Sequence, residues 1–192
     1  MLIPTIEQQQ GYYGCSLTGY QDTLLANEGT QIYAKTYIEG ATDFIFGQRA
    51  QAWFEQCTIG VVAASKGWVT ASGRSSDDAG WYVINKSRVG AAPGNSVKDG
   101  AYYLGRPWRN YARVVFQQTE MSKVINGAGW SVWNEGDERT DKVYFAESGN
   151  TGAGASGSRA PFSKKIASPV KIETVLGAGY ASAKYVDAKY LK

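Results

Sequence analysis

From Gly11 to Gly60 apolar and polar positions follow one short pattern three times over. An aromatic residue is followed after two positions by a small residue or Cys, then after one more by Leu or Ile. The members are Tyr12, Cys15, Leu17, then Tyr33, Thr36, Ile38, then Phe54, Cys57, Ile59, with a constant offset of 21. Gly19 with Gly40, and Asp22 with Asp43, keep the same interval. The period-2 alternation, β-branched and aromatic content and bounding glycines predict half-buried strands. The pattern returns at Ile84, Ser87, Val89 and at Phe116, Thr119, Met121, with intervals of 30 and 32 that imply longer loops between equivalent strands. A leucine-rich repeat shares the period range but needs an L-x-x-L-x-L signature that is absent here. The fold expected is all-β: a right-handed, single-stranded parallel β-helix in which each turn stacks on the one before.

Stacked turns lie about 4.7–4.9 Å apart, so equivalent residues form ladders: Tyr12, Tyr33, Phe54 and Leu17, Ile38, Ile59 are assigned to the core. Cys15 and Cys57 are two turns apart, roughly 9–10 Å between Cα atoms, beyond disulfide reach, so two buried free thiols are expected. The coil is expected over 1–147, within one domain spanning 1–192. Residues 148–160 read as a Gly/Ser loop, and Ile172, Val175, Leu176, Tyr185, Val186 and Tyr190 as a short helix and tail covering the side or end of the coil. The repeat is already running at Tyr12, which predicts coil turns ahead of Met1 and an unpaired β edge there, an association risk for an otherwise monomeric protein.

Composition narrows the chemistry. The chain has 192 residues, 23 of them Gly, and no histidine. Imidazole-dependent nucleophile systems, H-E-x-x-H zinc sites and histidine bases are therefore excluded within it, leaving carboxylates as the leading acid/base groups. The net charge of +3 comes without a Lys/Arg run, so no nucleic-acid partner is expected. No apolar run approaches the ~20 residues of a membrane span, so no membrane partner is expected either. The start, Met-Leu-Ile-Pro-Thr-Ile-Glu, lacks the basic and apolar regions of a signal peptide. Asn85-Lys86-Ser87 is a glycosylation sequon that falls inside a predicted strand.

Asp22, in Tyr-Gln-Asp-Thr-Leu, and Asp43, in Thr-Asp-Phe-Ile-Phe-Gly, share the 21-residue offset, so the stacking that aligns the core also aligns these carboxylates. Two close carboxylates push one pKa upward and titrate as a unit, which supplies a proton donor beside an ionised nucleophile or base. Taken alone, two such Asp residues after Gly-bounded strands are more often turn residues. Tyr-Leu-Gly-Arg106-Pro-Trp108 adds a guanidinium fork suited to a carboxylate and an indole suited to a sugar ring, and Gly-Trp130-Ser-Val-Trp133 adds further indoles.

Gly-Tyr-Gln-Asp-Thr-Leu, Asp-Phe-Ile-Phe-Gly and Tyr-Leu-Gly-Arg-Pro-Trp resemble, in order and spacing, the motifs of pectinesterases, from about Gly11 to the C-terminus and closer in wording to the fungal branch. The resemblance implies the pectin lyase-like β-helix and hydrolysis of methyl esters in pectin to methanol and pectate. It implies Asp43 as nucleophile, Asp22 as acid and then base, Gln21 as oxyanion donor, Arg106 as the holder of Asp43, and Trp108 and Trp130 as walls of the sugar cleft. It implies no cofactor or metal, and a secreted protein. The family's second oxyanion glutamine would fall just ahead of Met1, because Gln8, Gln9 and Gln10 match the linker. The alternatives are a pectin-binding β-helix fragment with impaired catalysis and another pectin-active enzyme such as a polygalacturonase.

Overall fold

The computed structural model describes residues 3–5, for backbone only, and 9–192. Gln8 and most of the N-terminal segment read above for a signal lie outside the described residues. The chain winds through successive three-strand turns. The first holds β1 (Ile3–Thr5), β2 (Gln9–Tyr13) and β3 (Ser16–Thr18), and the second β4 (Leu24–Ala26), β5 (Thr30–Ala34) and β6 (Tyr37–Gly40). The third holds β7 (Thr42–Gly47), β8 (Gln51–Glu55) and β9 (Thr58–Val61), and the fourth β10 (Gly67–Ser72), β11 (Trp81–Asn85) and β12 (Arg88–Ala91). The fifth holds β13 (Tyr102–Pro107), β14 (Arg113–Gln117) and β15 (Glu120–Met121), and is followed by β16 (Tyr144–Ser148), β17 (Ser163–Lys165) and helix α1 (Ile172–Leu176). Each strand pairs in parallel with its equivalent one turn away, giving three sheets ordered β1-β4-β7-β10-β13, β2-β5-β8-β11-β14-β16-β17 and β3-β6-β9-β12-β15.

The register is the one the repeat predicts. Tyr12 faces Tyr33, Tyr33 faces Phe54, Phe54 faces Ile84 and Ile84 faces Phe116. The first three rings stack with centroids 5.0 and 4.7 Å apart. Leu17, Ile38, Ile59, Val89 and Met121 form the second ladder. The longer intervals are taken up by the connections 62–66 and 73–80, and then 92–101 and 108–112, which leave the strands in phase.

A left-handed residue closes the sharp corner between the second and third sheets in every turn: Gly14, Lys35, Gln56, Lys86, Gln118 and Gly149 have φ between 47° and 60°. The following residue turns inward and satisfies its own corner. Thr36, Ser87 and Thr119 donate their hydroxyls to the carbonyls of Ala34, Asn85 and Gln117, while the Ser87 and Thr119 hydroxyls accept from the amides of Cys57 and Ser87. This accounting of buried polar groups explains why small hydroxyl and thiol residues recur there. Cys15 and Cys57 are free thiols. Cys57 is buried, and desolvation pushes its pKa up to about 12, but Cys15 is only half-buried because it lies on the first described turn, so the expectation of two buried thiols is corrected for Cys15.

The coil also runs further than expected. Residues 148–165 are not a plain loop after its end: Thr151 bridges Glu120, and β17 adds a strand beyond β16, so the boundary moves from 147 to Lys165. Small residues permit this, since a Cβ at Gly154 would lie 2.2 Å from the Ser122 carbonyl. Helix α1 and the tail then cover the side of the coil. Val175 and Leu176 pack on Ile32, Trp53, Val83, Val115 and Ala146, the outward apolar face of the second sheet. Asn85 belongs to this covered face. It is buried, donates to Glu55 at 2.7 Å and accepts from Gln117 at 2.9 Å, which leaves its amide no room for a glycan. No helix among the described residues is long and apolar enough to cross a membrane.

Candidate active site

The first sheet carries an irregularity that decides the site. Thr42 is opposite Trp68 and Ile45 opposite Thr70, so Asp43 and Phe44 together face the single residue Val69. Asp43 takes φ 50° at this bulge, and Asp22, one turn earlier, repeats it at φ 55°. An extra residue in one strand bends it and re-aims a side chain, and Asp is among the few residues that enter the left-handed region readily. Gln21 bridges Thr42 in parallel and the Asp22 amide donates to the Thr42 carbonyl at 3.2 Å, so the two bulges stack in register. Both carboxylates are thereby turned toward one cleft instead of into the core.

Arg106, on β13 two turns beyond Asp43, reaches back across the sheet. Its Nε donates to Asp43 Oδ1 at 2.9 Å and its Nη2 to Oδ2 at 2.7 Å, a bidentate fork. The pair is well shielded, with side-chain exposures of 14% for Arg106 and 9% for Asp43. Each Asp43 oxygen spends one acceptor position on the fork and keeps another. Asp22 has a raised pKa, first because burial penalises its charged form and second because Asp43 lies close by. The two acids thus sit in different surroundings: Asp43 is held by a bidentate cation, and Asp22 is biased toward its protonated form.

A cavity of about 220 Å³ opens over these groups, lined by Gln21, Asp22, Asp43, Phe46, Ala71, Trp108 and Trp133. Gln21, Asp22, Asp43 and Trp108 come together as expected, with Arg106 behind Asp43. Trp108 is seated on Gly73, where a Cβ would lie 2.4 Å from the indole. Trp130 does not line the cleft, which corrects the expectation. It is 1% exposed, stacked on Phe145 at 4.3 Å, edge-on to Phe116, and donates its Nε1 to Glu147 at 3.2 Å. Trp133 takes the expected place, three residues on, in an irregular segment whose direction no periodicity reports. Phe46 and Ala71 were likewise missed, because each is an ordinary strand residue in sequence. Among the described residues, no group of three or more His, Cys, Asp or Glu is placed to hold a metal ion.

Fold and site together define a class: a parallel β-helix that bears, on one long face, a stacked carboxylate pair, an arginine fork and an aromatic-walled cleft. The chain belongs to the pectinesterase family, whose model matches residues 7–186. It is 52% identical to a pectinesterase of Aspergillus niger over 100% of its length and 58% of that relative's. It is 54% identical to a pectinesterase of Aspergillus aculeatus over 95% of its length and 55% of that relative's. The chain therefore spans little more than half of these relatives. Among solved structures, the pectin methylesterase of Aspergillus niger superposes with a TM-score of 0.84 at 41% identity, covering 94% of this chain and 57% of that one.

Proposed function

We propose that this chain carries the hydrolytic centre of a pectin methylesterase, and that it cleaves methyl esters of galacturonate units to methanol and free carboxylates. The observation that supports this best is the asymmetric treatment of two stacked carboxylates: Asp43 gripped by Arg106, and Asp22 raised in pKa beside it.

In this reading an Asp43 oxygen attacks the ester carbonyl carbon, and the carbonyl π electrons move to oxygen. The Gln21 side-chain amide donates to that oxyanion, which such a donor typically stabilises by about 2.7–4 kcal/mol. As the intermediate collapses, Asp22 gives its proton to the departing methoxide, so methanol leaves and an acyl anhydride joins substrate to Asp43. Asp22, now ionised, takes a proton from a water that attacks the acyl carbon. Collapse of this second intermediate releases the galacturonic acid carboxyl, which gives its remaining proton to solvent, and returns Asp43 to Arg106, with the proton taken from water now on Asp22. Trp108, with its ring over Gly73, offers an apolar face to the sugar, and Trp133 walls the cleft beside it. Polymeric pectin lies outside cells, so secretion belongs to the same reading.

The test is methanol release from methyl-esterified pectin. The chain should release it and the Asp43→Asn variant should not. A folded wild-type chain that binds pectin yet liberates no methanol at any pH would overturn the reading in favour of a binding fragment, and new reducing ends would point to glycosidic cleavage.

A further inference from the structure

Arg106 makes one set of contacts that the chemistry above does not use. Its guanidinium carbon lies 3.9 Å from the centroid of the Trp68 ring and 4.2 Å from that of Trp133. Two indoles cannot both approach the same face of a planar group so closely, so one covers each face. The edge of the guanidinium is then the only way out for its N–H groups. They go to Asp43 and, at 3.5 Å, to the Trp133 carbonyl. Trp68 is itself pinned, because its Nε1 donates to Ser131 Oγ at 2.7 Å, and Ser131 donates onward to the Val132 carbonyl. Ser131 and Val132 lie between the two tryptophans of the Gly-Trp-Ser-Val-Trp segment, so one short stretch of chain fixes both covers. Unlike Trp133, Trp68 does not line the cleft.

We infer that Trp68 is a positioning residue: with Trp133 it clamps the faces of Arg106, so that the guanidinium stays dry and edge-on to Asp43 and holds it as an ionised nucleophile. This rests on the esterase reading for its role in catalysis, but the clamp itself has a readout that does not require turnover. A cation sandwiched between aromatic faces is attracted to both ring quadrupoles and loses the water that would compete with the carboxylate. Released from one ring, the guanidinium gains rotamers and hydration, and its pull on Asp43 weakens. The charged groups that bear on this balance are Arg106 and Asp22 at Asp43, Lys66 at 5.3 Å from the Trp68 ring, and Arg139 at 4.8 Å from the Trp133 ring.

The experiment is a carboxyl titration of the Asp22/Asp43 pair by carbon-13 NMR in wild type, Trp68→Leu, Trp68→Phe and Ser131→Ala. Leu keeps apolar cover while removing the ring quadrupole, so the lower midpoint of the pair should rise by about half to one pH unit, and Phe should restore most of it. Ser131→Ala, which frees the indole without removing it, should give a smaller rise in the same direction. Where turnover is measured, Trp68→Leu should lower kcat about tenfold with KM within about twofold and move the acid limb of the kcat profile upward. Unchanged midpoints in a folded Trp68→Leu, or in Ser131→Ala should the first not fold, would overturn the inference. A wild-type chain that releases no methanol would instead count against the esterase reading and leave the titration to decide the clamp.

Discussion

Two regions of this coil use the same backbone device for different ends. At the corner between the second and third sheets, Lys35, Gln56, Lys86 and Gln118 adopt left-handed conformations, as Asp22 and Asp43 do on the first sheet. Each such residue costs about 1 kcal/mol or more of local strain. At the corner the strain serves only to turn the chain, and the side chains point to solvent or to the tail, with no constraint on their type. On the first sheet it aims two carboxylates at one another and at a cleft, against the desolvation that raises Asp22. Strain by itself therefore does not mark the site; strain that brings like charges together beside a shielded cation does.

Substitutions that leave the backbone alone separate the two roles. The largest effect is expected at Asp43→Asn, which keeps the left-handed turn but removes the proposed nucleophile: methanol release should fall by at least about 10³-fold, with circular dichroism unchanged. Asp22→Asn should lower turnover by about 10²–10³-fold, since an amide cannot shuttle the proton.

The same Asp22→Asn change has a stability consequence of the opposite sign. A carboxyl whose folded pKa is raised binds its proton more tightly in the native state than in the unfolded chain. Stability is then fully present below the ordinary aspartate value, about 3.9, and is lost as pH rises through the raised one. Asn at 22 should therefore raise Tm near neutral pH, and the gain should vanish in thermal melts below about pH 4. A gain independent of pH would show that charge is not the cause. The smallest effect is expected at Lys86→Asn in the corner ladder, which should change stability by less than about 0.5 kcal/mol and leave turnover intact. A loss of turnover there would break the distinction drawn above.

Much of the fold was legible in residue order because a coil repeats its own constraints. A constant offset of 21 can be met in three dimensions only if equivalent residues stack, so the Tyr12, Tyr33, Phe54 ladder and the Asp22, Asp43 pair followed from one number. Arg106 was legible through its company, a guanidinium fork held between Gly and Pro, although its strand register is with Ala71 and Phe46 and only its side chain reaches Asp43. Where the repeat gave way to irregular chain, inference by spacing failed. Trp130 and Trp133 are three residues apart, yet one stacks on Phe145 in the core and the other faces the cleft. The Gly/Ser stretch after Ser148 looked too poor in side chains to continue the coil, but small residues are what let Gly154 press against Ser122 and β17 join the sheet.

By itself, then, the sequence determined the coil, its core ladders, the pairing of the two acids and, through the absence of histidine, the kind of acid and base available. Those are consequences of periodicity and of side-chain chemistry, both local properties. Tertiary structure alone decided which indoles see the cleft, how far Cys15 is covered, where the coil stops, and that Trp68 and Trp133 enclose Arg106. These depend on the direction of side chains in bulges and irregular segments, which is set by contacts between residues far apart in the chain and not by their spacing along it.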